Sequence, residues 1–357
     1  MRSHQGSAQD STQLSRRGAG RLLWPDLARG IAVISMLFAH TAPAGGVLLI
    51  VEFLTAPLFA TLVGVSLWLD WHHRGAATRG WVLAQLLRGL TLIVLGELAQ
   101  PLYAQIVIVL QTLGFLTIAL APLVALLARR PWISLGLAAA TTVVSPLIMS
   151  ASRTWLMAGP PNPVVRWLVN QVAASPYYRL STFLAFGFLG LALTMWVQPV
   201  NQRPRRMLLA ALATTAAMVA CFAYGVVLTR TLKPYSGTHI EIVSNLFLVA
   251  ATLLWCVWAT AAWPASVIRF LEPLIATGRM ALTAYLGQVV LLAYLTTRIT
   301  GGRDDSWFVL GTATIVLVAF CWAWQRWQMP PLFEGLLRWQ RVVESPRATG
   351  RTPDPAA

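Results

Sequence analysis

The stretch PDLARGIAVISMLFAH, residues 25–40, is apolar over most of its length yet carries Asp26, Arg29 and His40. A helix turns ~100° and rises ~1.5 Å per residue, so Arg29 and His40 return to within ~20° of one face, ~16 Å apart along the axis. Asp26 precedes Arg29 by three residues and falls on the same side. One helix face thus holds an acid, a base and an imidazole inside an otherwise apolar span. Ionisable groups are costly within a bilayer and face a cavity, a partner or a pathway. This face is therefore the first place to look for function.

The rest of the chain sets the surroundings of that helix. Of its 357 residues, 57% are hydrophobic and only 11% are charged, against roughly 25% charged in ordinary soluble domains. Apolar runs of about 20 residues recur along the chain, which is the pattern of a multi-pass membrane protein. The reading is an all-α, polytopic membrane bundle of about ten transmembrane helices. The spans are placed at 26–42, 47–69, 81–100, 103–127, 132–150, 178–197, 207–229, 242–263, 280–299 and 307–328. Residues 1–22 read as a disordered cytoplasmic lead, 23–329 as one membrane domain, and 330–357 as a cytoplasmic tail.

The formal net charge is +15, and Lys233 is the one lysine among 27 basic residues. In a soluble protein such a balance points to nucleic acid. Here the arginines flank the spans instead, and nucleic acid is not expected as a partner. Arg16, Arg17, Arg21, Arg129, Arg130, Arg203, Arg205, Arg206, Arg269 and Arg338 all fall on one side of a ten-span topology. The positive-inside bias then makes both termini cytoplasmic, and the expected location is a bacterial inner membrane. Cys221, Cys256 and Cys321 lie singly in three different spans and read as small buried hydrophobes. No metal-binding spacing, Walker loop or dinucleotide fingerprint is found, so no metal is expected.

Two loops break the pattern on the opposite side. Residues 151–177 hold Pro160, Pro161 and Pro163, followed by an amphipathic run from Val164 to Val172 suited to the membrane interface. Residues 230–241 are polar and carry His239 and Glu241. The segment 264–279 is expected to form a short surface helix leading into the ninth span.

With these features in view, the segment RLLWPDLARGIAVISMLFAH (21–40) resembles the opening helix of the transmembrane acyltransferase superfamily. That group includes the acyltransferase-3 sugar O-acetyltransferases and the heparan-alpha-glucosaminide N-acetyltransferase-like proteins. The Arg29 and His40 spacing matches the first branch, and DLARGIAV is more similar to the bacterial second branch. APLFATLVGVSLWL (56–69) and IVIVLQTLGFLTIALAPL (106–123) are similar to the second and fourth helices of that branch. GRMALTAYLGQ (278–288) resembles the C-terminal signature of an uncharacterised membrane family often joined to it.

The resemblance implies an acyl-CoA donor, acetyl-CoA or a short relative, on the cytoplasmic side. It also implies an acceptor on the other side, commonly a glycan or glycolipid, and a catalytic role for His40. Two further readings stand beside it. One is a transporter or flippase for a lipid-linked or small solute that uses the same polar face as a pathway. The other is a non-catalytic relative.

Candidate residues follow. His40 is the expected general base, with an ordinary pKa near 6.5 suited to proton transfer; the competing role is a buried histidine bonded to a carbonyl. Glu52, near the outer end of the second span, is a candidate for orienting His40 or for binding the acceptor, the competing role being an interfacial acid that reaches water. Arg29, Arg88 and Arg279 are candidates for holding the donor's phosphates; topology anchoring and snorkelling are the alternatives. Glu97, Gln100, Gln111 and Gln288 are candidates for the acceptor cavity, or for hydrogen bonds between helices. Asp26, just after Pro25, is read as a helix-start cap.

Overall fold

The computed structural model describes residues 22–43, 50–74, 79–102, 106–159, 162–198, 203–299 and 306–337. Their regular structure is all helical, with no strand among the described residues. In chain order the helices are α1 (Leu23–Thr41), α2 (Ile50–Arg74), α3 (Arg79–Ala99), α4 (Leu110–Leu127), α5 (Pro131–Met157), α6 (Pro163–Val169) and α7 (Leu180–Val197). They continue with α8 (Pro204–Ala223), α9 (His239–Ala262), α10 (Ala265–Phe270), α11 (Glu272–Arg279), α12 (Ala281–Tyr294) and α13 (Trp307–Arg326). Single π turns extend α6, α8 and α12.

Among the described residues, nine helices are long and apolar enough to cross a membrane: α2, α3, α4, α5, α7, α8, α9, α12 and α13 with their extensions. The chain is thus a polytopic helical membrane protein. The first expected span, α1, is outside this set. At 19 residues it is long enough, but Asp26, Arg29 and His40 lower its hydropathy. It is nonetheless central, because Ala28, Ala32, Val33 and Leu37 are fully buried.

The helices alternate in direction, which defines two ends of the bundle. At the Asp26 end, Trp68 of α2 donates to the Ala128 carbonyl after α4, and Asp70 accepts from Trp81 and Gln85 of α3. At the His40 end, Phe53 of α2 meets Phe222 of α8 edge-on, and Ser145 of α5 bonds Thr182 of α7. α2, α7 and α9 are the most buried helices, whereas α5, α8 and α13 bury little. The outer helices turn Leu147, Val219 and Ile315 outward, the side suited to lipid.

Interhelical contact depends on small residues, since lipid gives no hydrophobic drive to helix association. Gly64 of α2 lies against the Gly187 carbonyl of α7, and Gly190 of α7 lies against the Thr61 carbonyl of α2. α11 closes on α1 in the same way, with Gly30 against the Leu274 carbonyl and Gly278 against that of Asp26. The segment 264–279 therefore differs from the expected surface helix. α10 is exposed, but α11 buries Ile275, Ala276, Thr277 and Gly278 between α1 and α13. Gly278 permits a backbone contact, which outweighs surface placement.

Two other regions depart from expectation. Helix α4 starts at Leu110, so residues 106–109 enter the bundle without helix. The segment read as a tail also has structure as far as residue 337. A 3-10 turn, Phe333–Leu337, folds back onto α12, where Glu334 accepts from the Thr283 backbone N–H (2.8 Å) and hydroxyl (2.6 Å). Residues 1–21 and 338–357 of the expected lead and tail lie outside the described residues.

Candidate functional site

A cavity of about 360 Å³ lies toward the Asp26 end, and its charged lining is made by side chains from four parts of the chain. Arg29 comes from α1, Arg88 from α3, Arg279 from the end of α11, and Glu334 from the closing turn. The deeper wall is apolar and includes Phe59, Leu62, Leu92, Leu113 and Tyr285.

Asp26 organises two of the three arginines. Only 1% of its side chain is exposed, so its charge requires partners. Arg29 donates to one carboxylate oxygen at 2.7 Å, and Arg279 Nε stands 3.6 Å from the other. Arg29 also donates to Ser66 Oγ of α2 at 2.8 Å, and Arg279 donates to Glu272 at 2.6 Å. Gln325 of α13 steadies this corner by donating to the Ala276 carbonyl at 2.7 Å. Asp26, expected as a helix cap, is thus a buried bridge between α1 and α11.

Arg88 is arranged differently. It is half-buried, faces the cavity, and makes no hydrogen bond or ion pair among the described residues. Glu334, the lining carboxylate, is engaged by Thr283 at the start of α12, where the helix dipole favours a negative group. The cavity therefore offers one guanidinium with no hydrogen bond or ion pair among the described residues beside two held in place. Guanidinium groups bind phosphate and carboxylate through paired, charge-assisted hydrogen bonds. The arrangement suits an anionic head with an apolar or extended remainder.

The other candidates lie elsewhere. His40 is half-buried in the last turn of α1 and lines neither this cavity nor a second, smaller one. Glu52 lines that second pocket, at the His40 end, with Tyr177, Tyr178, Tyr235 and Glu241. Gln111 is 2% exposed and packs on Gly96 of α3, and Gln288 is fully buried. Gln111 Nε2, both polar atoms of Gln288 and one oxygen of Glu97 have no hydrogen-bond partner among the described residues. Gln100 is exposed in the 3-10 turn after α3, away from the buried glutamines. Among the described residues no cluster of His, Cys, Asp or Glu is suited to a metal ion.

Three lining residues were missed as site candidates. Ser66 and Tyr285 lie inside the segments 56–69 and 278–288, whose order along the chain was the available signal. Glu334 had none, since it follows the last span in a stretch without periodicity.

Residues 191–340 match the model of DUF418, a protein family of unknown function. The match includes Arg279, Tyr285 and Glu334, together with the segment GRMALTAYLGQ, but not Arg29, Ser66 or Arg88. The cavity is thus built across the boundary of the matched region. No curated protein matches the chain.

The loops at the His40 end carry a pH prediction. Burial pushes the Tyr178 phenol well above its ordinary value, with Tyr235 adding to the effect. Burial and then the Glu52 carboxylate push Tyr235 up as well. The native state therefore keeps protons that the unfolded chain releases near pH 10. The stability linked to these phenols is present below pH ~10 and falls as pH rises above it. An ultraviolet titration of phenolate at pH ~11 is expected to give the same amplitude for the native chain and for Tyr178→Phe/Tyr235→Phe. A smaller amplitude in the variant would show ordinary, ionised phenols.

Proposed function

We propose that the protein is an integral membrane acyltransferase that moves an acetyl or short acyl group from acyl-CoA to an acceptor across the bundle. The observation that carries this reading is the meeting of Arg29, Arg88 and Arg279, from three separate helices, in one cavity. In this reading the three guanidinium groups hold the donor's phosphates at the cytoplasmic face of a bacterial inner membrane, with both termini on that face. The acceptor is a glycan or glycolipid at the opposite face. His40 takes the proton from the acceptor hydroxyl or amine as that atom attacks the thioester carbonyl. The carbon–sulfur bond breaks, and the leaving CoA thiolate takes up the proton. Arg29 and His40 are ~16 Å apart along α1, so the donor must lie extended through the bundle.

The position of His40 outside both cavities favours a second reading, in which the arginines recognise an anionic solute for transport without covalent change. Coenzyme A titration and release of labelled acetate from acetyl-CoA, both in nanodiscs, separate the two. An acyltransferase binds coenzyme A, and His40→Ala keeps that binding while losing turnover. Folded protein that binds no coenzyme A sinks the enzyme reading and turns attention to flux assays.

A further inference from the structure

The chain leaves α13 by a route that its residues restrict closely. Gln328, at φ 55°, carries it through the left-handed region. Pro330 and Pro331 then limit the backbone, and Trp324 Nε1 donates to the Pro330 carbonyl at 2.9 Å. This stiff arm delivers the turn Phe333–Leu337 onto α3 and α12, and the turn bridges the two helices. Its two least exposed residues, Glu334 and Leu337, line the arginine cavity.

Polar contacts, more than burial, hold this turn in place. None of its residues is buried, and Phe333 and Leu336 are exposed. Thr283 makes the attachment. Its hydroxyl donates to one Glu334 oxygen at 2.6 Å, and its backbone N–H donates to the other at 2.8 Å. The Phe333 N–H donates in turn to the Thr283 hydroxyl at 3.3 Å. Segments with few buried contacts open locally at low cost. Thr283 is itself buried and does not line the cavity. One side chain outside the cavity thus ties down a turn that forms part of its wall.

We propose that Phe333–Leu337 is an autoinhibitory lid on the arginine cavity, latched by Thr283, and that an anionic ligand binds there as the latch opens. The sign follows from charge. Glu334 is the one carboxylate in a lining that also holds Arg29, Arg88 and Arg279. An anion in the cavity is attracted by the arginines and repelled by Glu334. It therefore binds the open state more tightly than the closed one, and such a difference is what lets a ligand shift an equilibrium. While the latch holds, it keeps a negative charge in the wall and opposes entry. The inference rests on the cavity as an anion site, as the proposed function does, but not on acyl transfer.

The test uses the full chain in phosphatidylcholine nanodiscs, with inorganic pyrophosphate as the probe anion. Hydrogen–deuterium exchange reads the lid, and calorimetric titration reads affinity. Pyrophosphate at saturation is expected to speed exchange of residues 333–337 in the native chain at least fivefold. Thr283→Val, checked for an unchanged melting profile, is expected to exchange faster there without any ligand. It is also expected to bind pyrophosphate about tenfold more tightly, the worth of one hydrogen bond to a charged group. This variant keeps the Glu334 charge, so its gain separates release of the lid from loss of a repelling group. Glu334→Gln is expected to show the same two effects. No saturable pyrophosphate binding, unchanged or slower exchange at saturation, or native affinity in folded Thr283→Val overturns the inference. The exchange measurement on the native chain decides the matter even where Thr283→Val does not fold. Failure of the acyltransferase reading shows separately, as no coenzyme A-dependent turnover in a chain that still binds pyrophosphate.

Discussion

Arg88→Ala is expected to weaken coenzyme A binding ten- to a hundredfold, about 1.5–3 kcal/mol, the range of a hydrogen bond to a charged group. The expectation follows from how the three arginines are held. Arg29 and Arg279 are tied to Asp26 and Glu272. Arg88 makes no such bond among the described residues, and its guanidinium faces the cavity with the Asp70 charge acting on it from nearby. Its removal takes little from the fold and leaves no buried carboxylate behind. Arg29→Ala, in contrast, takes a partner from Asp26 and lowers stability along with affinity, because breaking a buried pair costs about 3–5 kcal/mol. Titration of the two variants beside their melting profiles checks the difference. A native-like coenzyme A affinity in Arg88→Ala would remove this arginine from the site.

Gly278→Leu is expected to prevent native assembly, with a loss above ~4 kcal/mol, in the range reserved for core disruption. A side chain at 278 runs into the backbone carbonyl of Asp26, and neither helix can yield without moving the other. The same shift would separate Arg279 from Asp26 and open the cavity wall. Gly136 of α5 is the contrast, since a Cβ there meets nothing within 4 Å. Gly136→Ala is expected to gain up to ~1 kcal/mol from helix propensity alone. Size-exclusion profiles and thermal unfolding in detergent read both outcomes. A monodisperse Gly278→Leu protein with native melting would refute the close α1–α11 contact.

Both predictions concern contacts between helices, and that is where the sequence becomes a poor guide. The helix over 25–40 and its polar face were legible because period and rise are local properties of a chain. The apolar spans were legible for the same reason: a run of about 20 apolar residues has one physical use. Helices α7, α8, α9, α12 and α13 begin and end within a few residues of where the pattern places them. The start of α4 was missed, because residues 103–109 are as apolar as the helix that follows.

Apolar length and charge content thus made the chain, by itself, a many-helix membrane protein, marked Arg29 and Arg88 as costly residues in need of a purpose, and left Arg279 in a segment between two spans. That these three face one cavity was decided by tertiary packing. The α1–α11 crossing rests on Gly30 and Gly278, and the α3–α4 crossing on Gly89 and Gly114. Nothing in one helix specifies which glycine of another it meets. The same holds for Glu334, whose bonds to Thr283 close a loop of 51 residues. The gathering of Glu52 with Asn245 and three tyrosines likewise joins distant helices and loops. Periodicity tells which face of a helix is polar, but only the packed bundle determines what that face meets.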